Sequence, residues 1–405
     1  MASTEDTLAL AGKHLLRNYK QPPLVMVRGE GCRLFDAEGR RYLDLYAGIA
    51  VCALGHAHPA VAEAVAVQAK TLVHIANFFY TDKAVALAAT LAERTGLSRV
   101  FLCNSGTEAI EAAIKLTRRW HHNRGDAERT DLVATWGSFH GRSMGAVALT
   151  GKKAYWEGFG QRLPGVSHVP YGDLEAMARR LNDRTAAVFI EPVQGEGGVV
   201  PPPAGYLAGL RALCDRVGAL LVADEIQTGV GRSGRFLAVQ HAGVAPDVVA
   251  LAKGLGGGFP IGAMVCHERF ADTLPPGSHG TTFGGNPLAA AAALAVLDTL
   301  DRTGLLDHVT RVGQHLLGGL TRLAEKYPTR AEGARGLGLL CGLVLRPGVD
   351  PLAVRDAMRA RGVLIATAGE RVLRFAPPLV VTEAEIDEGL EALDAVLAAA
   401  PEVTP

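Results

Sequence analysis

Net charge is the first thing this sequence lacks: 41 lysines and arginines are cancelled by 41 aspartates and glutamates over 405 residues. Without a field of one sign, the chain has no means of drawing in nucleic acid or an anionic membrane surface, so any anion must be recognised locally. A C-x-x-C pair is also missing. The six cysteines, Cys32, Cys52, Cys103, Cys214, Cys266 and Cys341, are scattered, which argues against a disulfide framework and for free thiols in a reducing compartment. Neither His56-Ala57-His58 nor His121-His122 has a carboxylate or cysteine at ligand spacing, so these histidines read as structural and no metal is expected. No apolar run is long. The longest, Leu288 to Leu297, is alanine-rich and covers about half of what a membrane span needs, which leaves a packed helix. The stretch Met1 to Asp6 has no basic region and carries two acids, so neither a secretion signal nor a mitochondrial presequence is expected, and the expected location is cytoplasmic. Internal repeats and low-complexity tracts are absent too.

What is present is an alternation. Short apolar runs at Arg99–Cys103, Ala186–Ile190, Ala219–Ala223 and Val248–Ala252 are separated by amphipathic stretches such as Ala109 to Trp120 and Gly205 to Val217. This pattern predicts an α/β domain with a mostly parallel sheet. The expected division is a large central domain over residues 66–300 and a smaller one assembled from residues 1–65 and 301–405. Strand signals in the smaller domain flank a turn between Leu34 and Asp44, and recur at Gly338–Val344 and Val372–Phe375.

Ligands of such sheets bind at the carboxyl ends of the strands, where the four runs end on Asn104-Ser105-Gly106-Thr107, Glu191, Asp224-Glu225 and Lys253. Lys253, followed by the glycine-rich Gly254 to Gly258, offers an amine suited to a Schiff base with a carbonyl cofactor. Ser105-Gly106-Thr107-Glu108, between a strand and a helix, is either a phosphate cradle or a plain helix cap. Asp224 suits the protonated ring nitrogen of a pyridine cofactor, and Gln227 a ring oxygen. A Walker-B role for Asp224 would need G-x-x-x-x-G-K-[ST], which is absent, and the glycines after Lys253 do not have dinucleotide spacing. A nucleotide-binding ATPase and a dehydrogenase are therefore the weaker readings. In Phe139-His140-Gly141-Arg142 an aromatic face lies beside a guanidinium able to clamp a carboxylate. Glu191 and Glu196 share a glycine-bounded loop, and Arg374, within an apolar strand, calls for an anionic partner.

In this order the motifs resemble the class III (ornithine-type) pyridoxal-phosphate aminotransferases, most closely the acetylornithine branch, over nearly the whole chain. They run from Gly55-His56-Ala57-His58-Pro59 through Asn104 to Ala109, Ser138 to Arg142, Glu191 to Gly198, Asp224 to Gly229, Leu251 to Gly254 and His279 to Pro287, and end at Arg374. The resemblance implies fold type I, with a mixed, mostly parallel seven-stranded sheet, a smaller α+β domain from both termini, and a homodimer with shared active sites. It implies that Lys253 carries pyridoxal phosphate and Asp224 pairs with its ring nitrogen. Phe139, with His140 beside it, stacks on the ring, and Gln227 contacts its hydroxyl. Ser105, Gly106 and Thr107 hold the phosphate, joined by Thr282 from the neighbouring subunit. For substrates it implies N-acetylornithine and the 2-oxoglutarate/glutamate pair, with Arg142, Glu196 and Arg374 sorting their carboxylates. Ile49 stands where ornithine-specific relatives carry a substrate-contacting tyrosine, and Cys52 stands where many relatives have asparagine. Succinyl-diaminopimelate is a candidate second donor. The alternative is another ω-aminotransferase of the class, acting on succinylornithine, carrier-linked lysine, ornithine or 4-aminobutyrate.

Overall fold

The computed structural model describes residues 3–402; Met1 and Ala2 of the acidic N-terminal stretch lie outside the described residues. Seven strands form one sheet in the spatial order Arg99–Cys103, Gly262–Cys266, Val248–Leu251, Leu220–Asp224, Thr185–Ile190, Asp131–Thr135, Val166–Val169. Neighbours are parallel except Gly262–Cys266, which is antiparallel to both strands beside it. Two reversals cancel, so Arg99–Cys103 points the same way as the parallel strands and ends at the same edge. Thr185–Ile190, Leu220–Asp224 and Val248–Leu251 are buried at every position. Both faces of the sheet are covered, which is why these strands read as unbroken apolar runs without alternation.

The sequence reading anticipated four of these strands. Val166–Val169 has Ser167 and His168 in its middle and sits at the sheet edge, and Gly262–Cys266 opens on glycine and alanine. The polar pair in the first and the small residues opening the second interrupt the apolar run that marks a buried strand in isolation.

The helix after the first sheet strand, Gly106–Asn123, buries Ala109, Ile110, Ala113, Ile114 and Leu116, a helical-period stripe, and Ser105 caps it by accepting from the Glu108 N–H. The alanine-rich run lies in the Pro287–Arg302 helix, capped by Asn286 and started by proline. Its buried Ala289 to Ala293 present little bulk to the Pro59–Thr71 helix packed on it.

The two ends of the chain meet in a small four-stranded sheet, where Val363 pairs with Leu43 and Leu364 with Asp44 in parallel. A second small sheet is antiparallel and contains Val372–Phe375, with Arg374 opposite Gly342. The strand expected at Gly338–Val344 begins later, at Leu340, because Gly338 at φ +57° turns the chain out of the preceding strand Ala331–Leu337. No helix of the described residues is long and apolar enough to cross a membrane.

Candidate active site

At the carboxyl edge of the large sheet lies a cavity of about 410 Å³, lined by Ser105, Gly106, Thr107, Phe139, His140, Arg142, Glu196, Asp224, Gln227 and Lys253. Lys253 follows the Val248–Leu251 strand at φ +43°, a backbone region that costs a side-chain-bearing residue of order 1–3 kcal/mol and tends to survive at functional sites. Burial pulls its pKa down to about 8, against the opposing attraction of Glu196, so a sizeable share of the amine is neutral near physiological pH.

Asp224 ends its strand with both oxygens engaged. Oδ1 accepts from the Ile226 N–H at 3.1 Å and Oδ2 lies 2.7 Å from His140 Nδ1. Burial opposes charge on His140, but the hydrogen bond and charge of Asp224 outweigh it and the histidine pKa is raised. The other ring nitrogen, Nε2, is buried without a partner. Glu191, a buried part of the cavity lining, accepts from the backbone N–H of Phe139 and Gly195, and burial raises its pKa to about 7.

Arg374 has the anionic partner its burial requires: Nη1 donates to Glu196 Oε1 at 2.5 Å and to Gln227 Oε1 at 3.2 Å. Burial disfavours charge on Glu196, yet the facing guanidinium lowers its pKa overall. Arg142 is exposed at the cavity rim, its guanidinium 4.0 Å from the Tyr155 ring centroid and 5.3 Å from that of Phe139.

Three of the predicted residues do not line the cavity of a single chain: Arg374, which meets it through Glu196 and Gln227, Thr282 and Ile49. Thr282 is exposed on the loop before the Pro287–Arg302 helix. Ile49 belongs to an unusual turn, Ala47 to Ala50, in which all four residues have φ between +51° and +70°. Left-handed helical backbone costs a non-glycine residue roughly 1–2 kcal/mol. Buried Asp44 stabilises it, accepting from the N–H of Tyr46 and Ala47 and held in turn by His56 Nε2 at 2.7 Å. The hydrogen bond with Asp44, seconded by one with Cys52, raises His56 to about 9, so His56 stays charged and the turn stays capped. It is Val51, just past this turn, that lines the cavity.

A family model described as aminotransferase class-III matches residues 15–397. The chain belongs to the class-III aminotransferases. It is 49% identical to the acetylornithine aminotransferase of Myxococcus xanthus, over 95% of this chain and 96% of that one. With the Streptomyces coelicolor protein of the same name it shares 51% identity, over 96% and 94%. Among solved structures, the ornithine aminotransferase of Toxoplasma gondii ME49 superposes with TM-score 0.95 at 34% identity, covering 98% of this chain and 96% of that one. The acetylornithine aminotransferase of Elizabethkingia anophelis gives 0.87 at 30% identity, over 98% and 100%.

The cofactor of this class-III aminotransferase is pyridoxal phosphate, and the cavity suits it on its own terms. A free amine of lowered pKa, a buried carboxylate and an aromatic face border the same space. A Cβ on Gly106 would come within 2.7 Å of Ile226 Cδ1, so glycine lets the start of the Gly106–Asn123 helix, with its free N–H groups, pack against the Ile226 side chain at the cavity. The sequence reading missed Val51, Ile226 and Tyr155. Ile226 was within reach as the neighbour of Asp224, whereas nothing in the sequence ties Tyr155 to Arg142.

Proposed function

We propose that this aminotransferase moves the δ-amino group of N-acetylornithine to 2-oxoglutarate, an ω-transamination of arginine biosynthesis, in the cytoplasm. The observation that carries the reading is the Glu196–Arg374 ion pair beside a cavity whose second arginine, Arg142, is exposed. An ω-amine donor brings its reacting carbon to the cavity without an adjacent carboxylate. Arg374, neutralised by Glu196, then presents no charge to it, while Arg142 grips the distant α-carboxylate. A 2-oxo diacid has carboxylates at both ends, and Glu196 releases Arg374 to take the one beside the reacting carbon while Arg142 holds the other. Exposed apolar Ile49, at the site of a tyrosine in ornithine-specific relatives, favours the acylated donor.

Bound in the cavity, pyridoxal phosphate supplies an electron sink for the carbanion at the reacting carbon. Lys253 would hold it through Nζ and, once free, the same amine would serve as the base that moves the proton from the amine-bearing carbon of the substrate. Asp224, backed by His140, would keep a proton on the ring nitrogen. Phe139 would cover the ring, Gln227 would offer its amide to the ring hydroxyl, and the N–H groups of Gly106 and Thr107 with Ser105 would hold the phosphate.

The working unit in this reading is a homodimer, with Thr282 reaching the phosphate in the partner site. Tyr80 is 98% and Phe78 92% exposed in the single chain, and Asn77 Nδ2 donates to Thr281 O and Gly284 O at 3.1 Å each. The aromatic segment and the Thr282 loop therefore form one patch, with Phe283 adding to it, of a kind that soluble chains bury. Sedimentation equilibrium is expected to return a dimer, and a monomer at assay concentration would refute the shared site.

The switch is tested with Glu196→Ala on a panel of N-acetylornithine, succinylornithine, ornithine, 4-aminobutyrate and glutamate. With Arg374 permanently free, kcat/KM for glutamate is expected to rise relative to N-acetylornithine by about tenfold or more. An unchanged ratio would sink the switch.

A further inference from the structure

Arg142 owes its position to one face of the Gly106–Asn123 helix. Thr107 Oγ1 accepts from the backbone N–H of Arg142 at 3.3 Å and of Ser143 at 3.2 Å. One helical turn later Glu111 Oε1 accepts from Ser143 Oγ at 2.5 Å and from the N–H of Gly145 and Ala146 at 2.9 and 3.2 Å. Thr107 and Glu111 are four positions apart and so project from the same side of the helix. Ser143 Oγ also lies 2.8 Å from Thr107 Oγ1. Since Ser143 gives its single proton to the carboxylate, Thr107 is the donor in that pair. The chain Thr107, Ser143, Glu111 thus has one direction and ends on a charge, where hydrogen bonds are strongest.

We infer that Glu111 is a positioning residue for Arg142, fixing the distance between the phosphate cradle and the arginine that grips the substrate carboxylate. The Met144–Leu149 helix that follows Arg142 has six residues and no side-chain cap from Ser143, so it cannot hold its own first turn in register. Glu111 supplies that cap from the neighbouring helix. The fit is close: a Cβ on Gly145 would come within 2.5 Å of Glu111 Oε2. The N–H groups of Gly106 and Thr107 belong to the same helix as Glu111, so cofactor and substrate anchors share one rigid rod. Tyr155 and Phe139 still face the guanidinium and Thr107 still accepts from the Arg142 N–H when Glu111 is changed, but the turn from Ser143 to Ala146 that follows loses its charged anchor. The effect therefore falls on substrate binding and leaves chemistry and cofactor affinity in place. This inference rests on the reading of Arg142 as the carboxylate grip.

Steady-state kinetics of the holoenzyme carrying Glu111→Gln, Arg142→Ala, and both together test it. Glutamine keeps the volume and one acceptor oxygen but removes the charge. Glu111→Gln is expected to raise KM for N-acetylornithine and 2-oxoglutarate about tenfold, with kcat and the cofactor dissociation constant within about twofold. In the Arg142→Ala background the same change is expected to add less than about twofold, because its route of action is gone. A full tenfold rise in that background would show Glu111 acting elsewhere and overturn the inference, as would an unchanged KM in the single variant. Arg142→Ala with both KM values unaltered would instead remove the reading of Arg142 itself. Should Glu111→Gln give no soluble protein, Ser143→Ala interrupts the same link. A KM rise of about threefold is then expected, and no rise overturns the inference.

Discussion

Replacing Lys253 by alanine is expected to lower kcat by about 10⁴-fold with N-acetylornithine and 2-oxoglutarate. The size follows from the two roles proposed for one amine, holding the cofactor and carrying the proton between the reacting carbons. Both need a neutral Nζ at some stage, and burial, which pulls the pKa down to about 8, makes one available near neutrality. Because the neutral form is the nucleophile, cofactor capture by the apoenzyme should accelerate as pH rises through about 8 and level off above it. Wild-type protein reduced with borohydride should carry its label on Lys253, and the alanine variant should carry none. A variant that retains more than about a hundredth of kcat would mean that another group moves the proton.

The second large effect is expected at Asp224. Asp224→Asn keeps the shape and can still accept from the Ile226 N–H, but it removes the charge proposed to hold a proton on the ring nitrogen. If that charge is worth about three pKa units to the ring, or about 4 kcal/mol, kcat falls about 10³-fold while the substrate KM values change little. The His140 contact adds a second readout. His140 has its pKa raised by Asp224 against the pull of burial, so in the asparagine variant its imidazole should titrate at lower pH by NMR. A kcat within tenfold of wild type would contradict the assignment of the ring-nitrogen partner.

The residues behind these expected effects stand out in the sequence, and the reason is positional. Lys253, Asp224 and the Ser105-Gly106-Thr107 turn each follow a buried strand, so the sequence shows an apolar run broken abruptly by polar side chains. Arg374 is equally visible, since a guanidinium between Leu373 and Phe375 cannot stay buried unpaired. What stayed hidden depends on tertiary approach. Tyr155 meets Arg142 from a short helical turn thirteen positions on, with no periodicity to link them. The left-handed turn at Ala47 to Ala50 contains a single glycine, Gly48, and alanine and isoleucine do not signal positive φ; the cause lies in Asp44 and His56, which act from outside it. The edge strand Val166–Val169 is hidden because a strand with one neighbour needs less apolar surface. Glu111 was legible in principle, being four residues after Thr107 on one helix face, but its partners across the gap were not.

The small sheet shared by both chain ends carries a further lesson. Val363 and Leu364 are too short a run to be read as a strand alone, and only pairing with Leu43 and Asp44 makes them one. That pairing ties Asp44, and through it the Ala47–Ala50 turn, to the C-terminal part of the chain that also supplies Arg374. Two distant stretches of sequence are thereby held in one frame beside the cavity.

The central claim, that Lys253 and its cofactor take the δ-amine of an acylated ornithine, is tested most directly by the isolated half-reaction. Holoenzyme is mixed with N-acetylornithine in the absence of any 2-oxo acid, and both the visible absorbance and the amino group transferred are followed in a single turnover. The account predicts one amino group per active site, bleaching of the Lys253-linked absorbance, and a rate well above those of ornithine and 4-aminobutyrate. Recovery should follow on adding 2-oxoglutarate. An absorbance that N-acetylornithine leaves unchanged, while ornithine or 4-aminobutyrate bleaches it, would contradict the account.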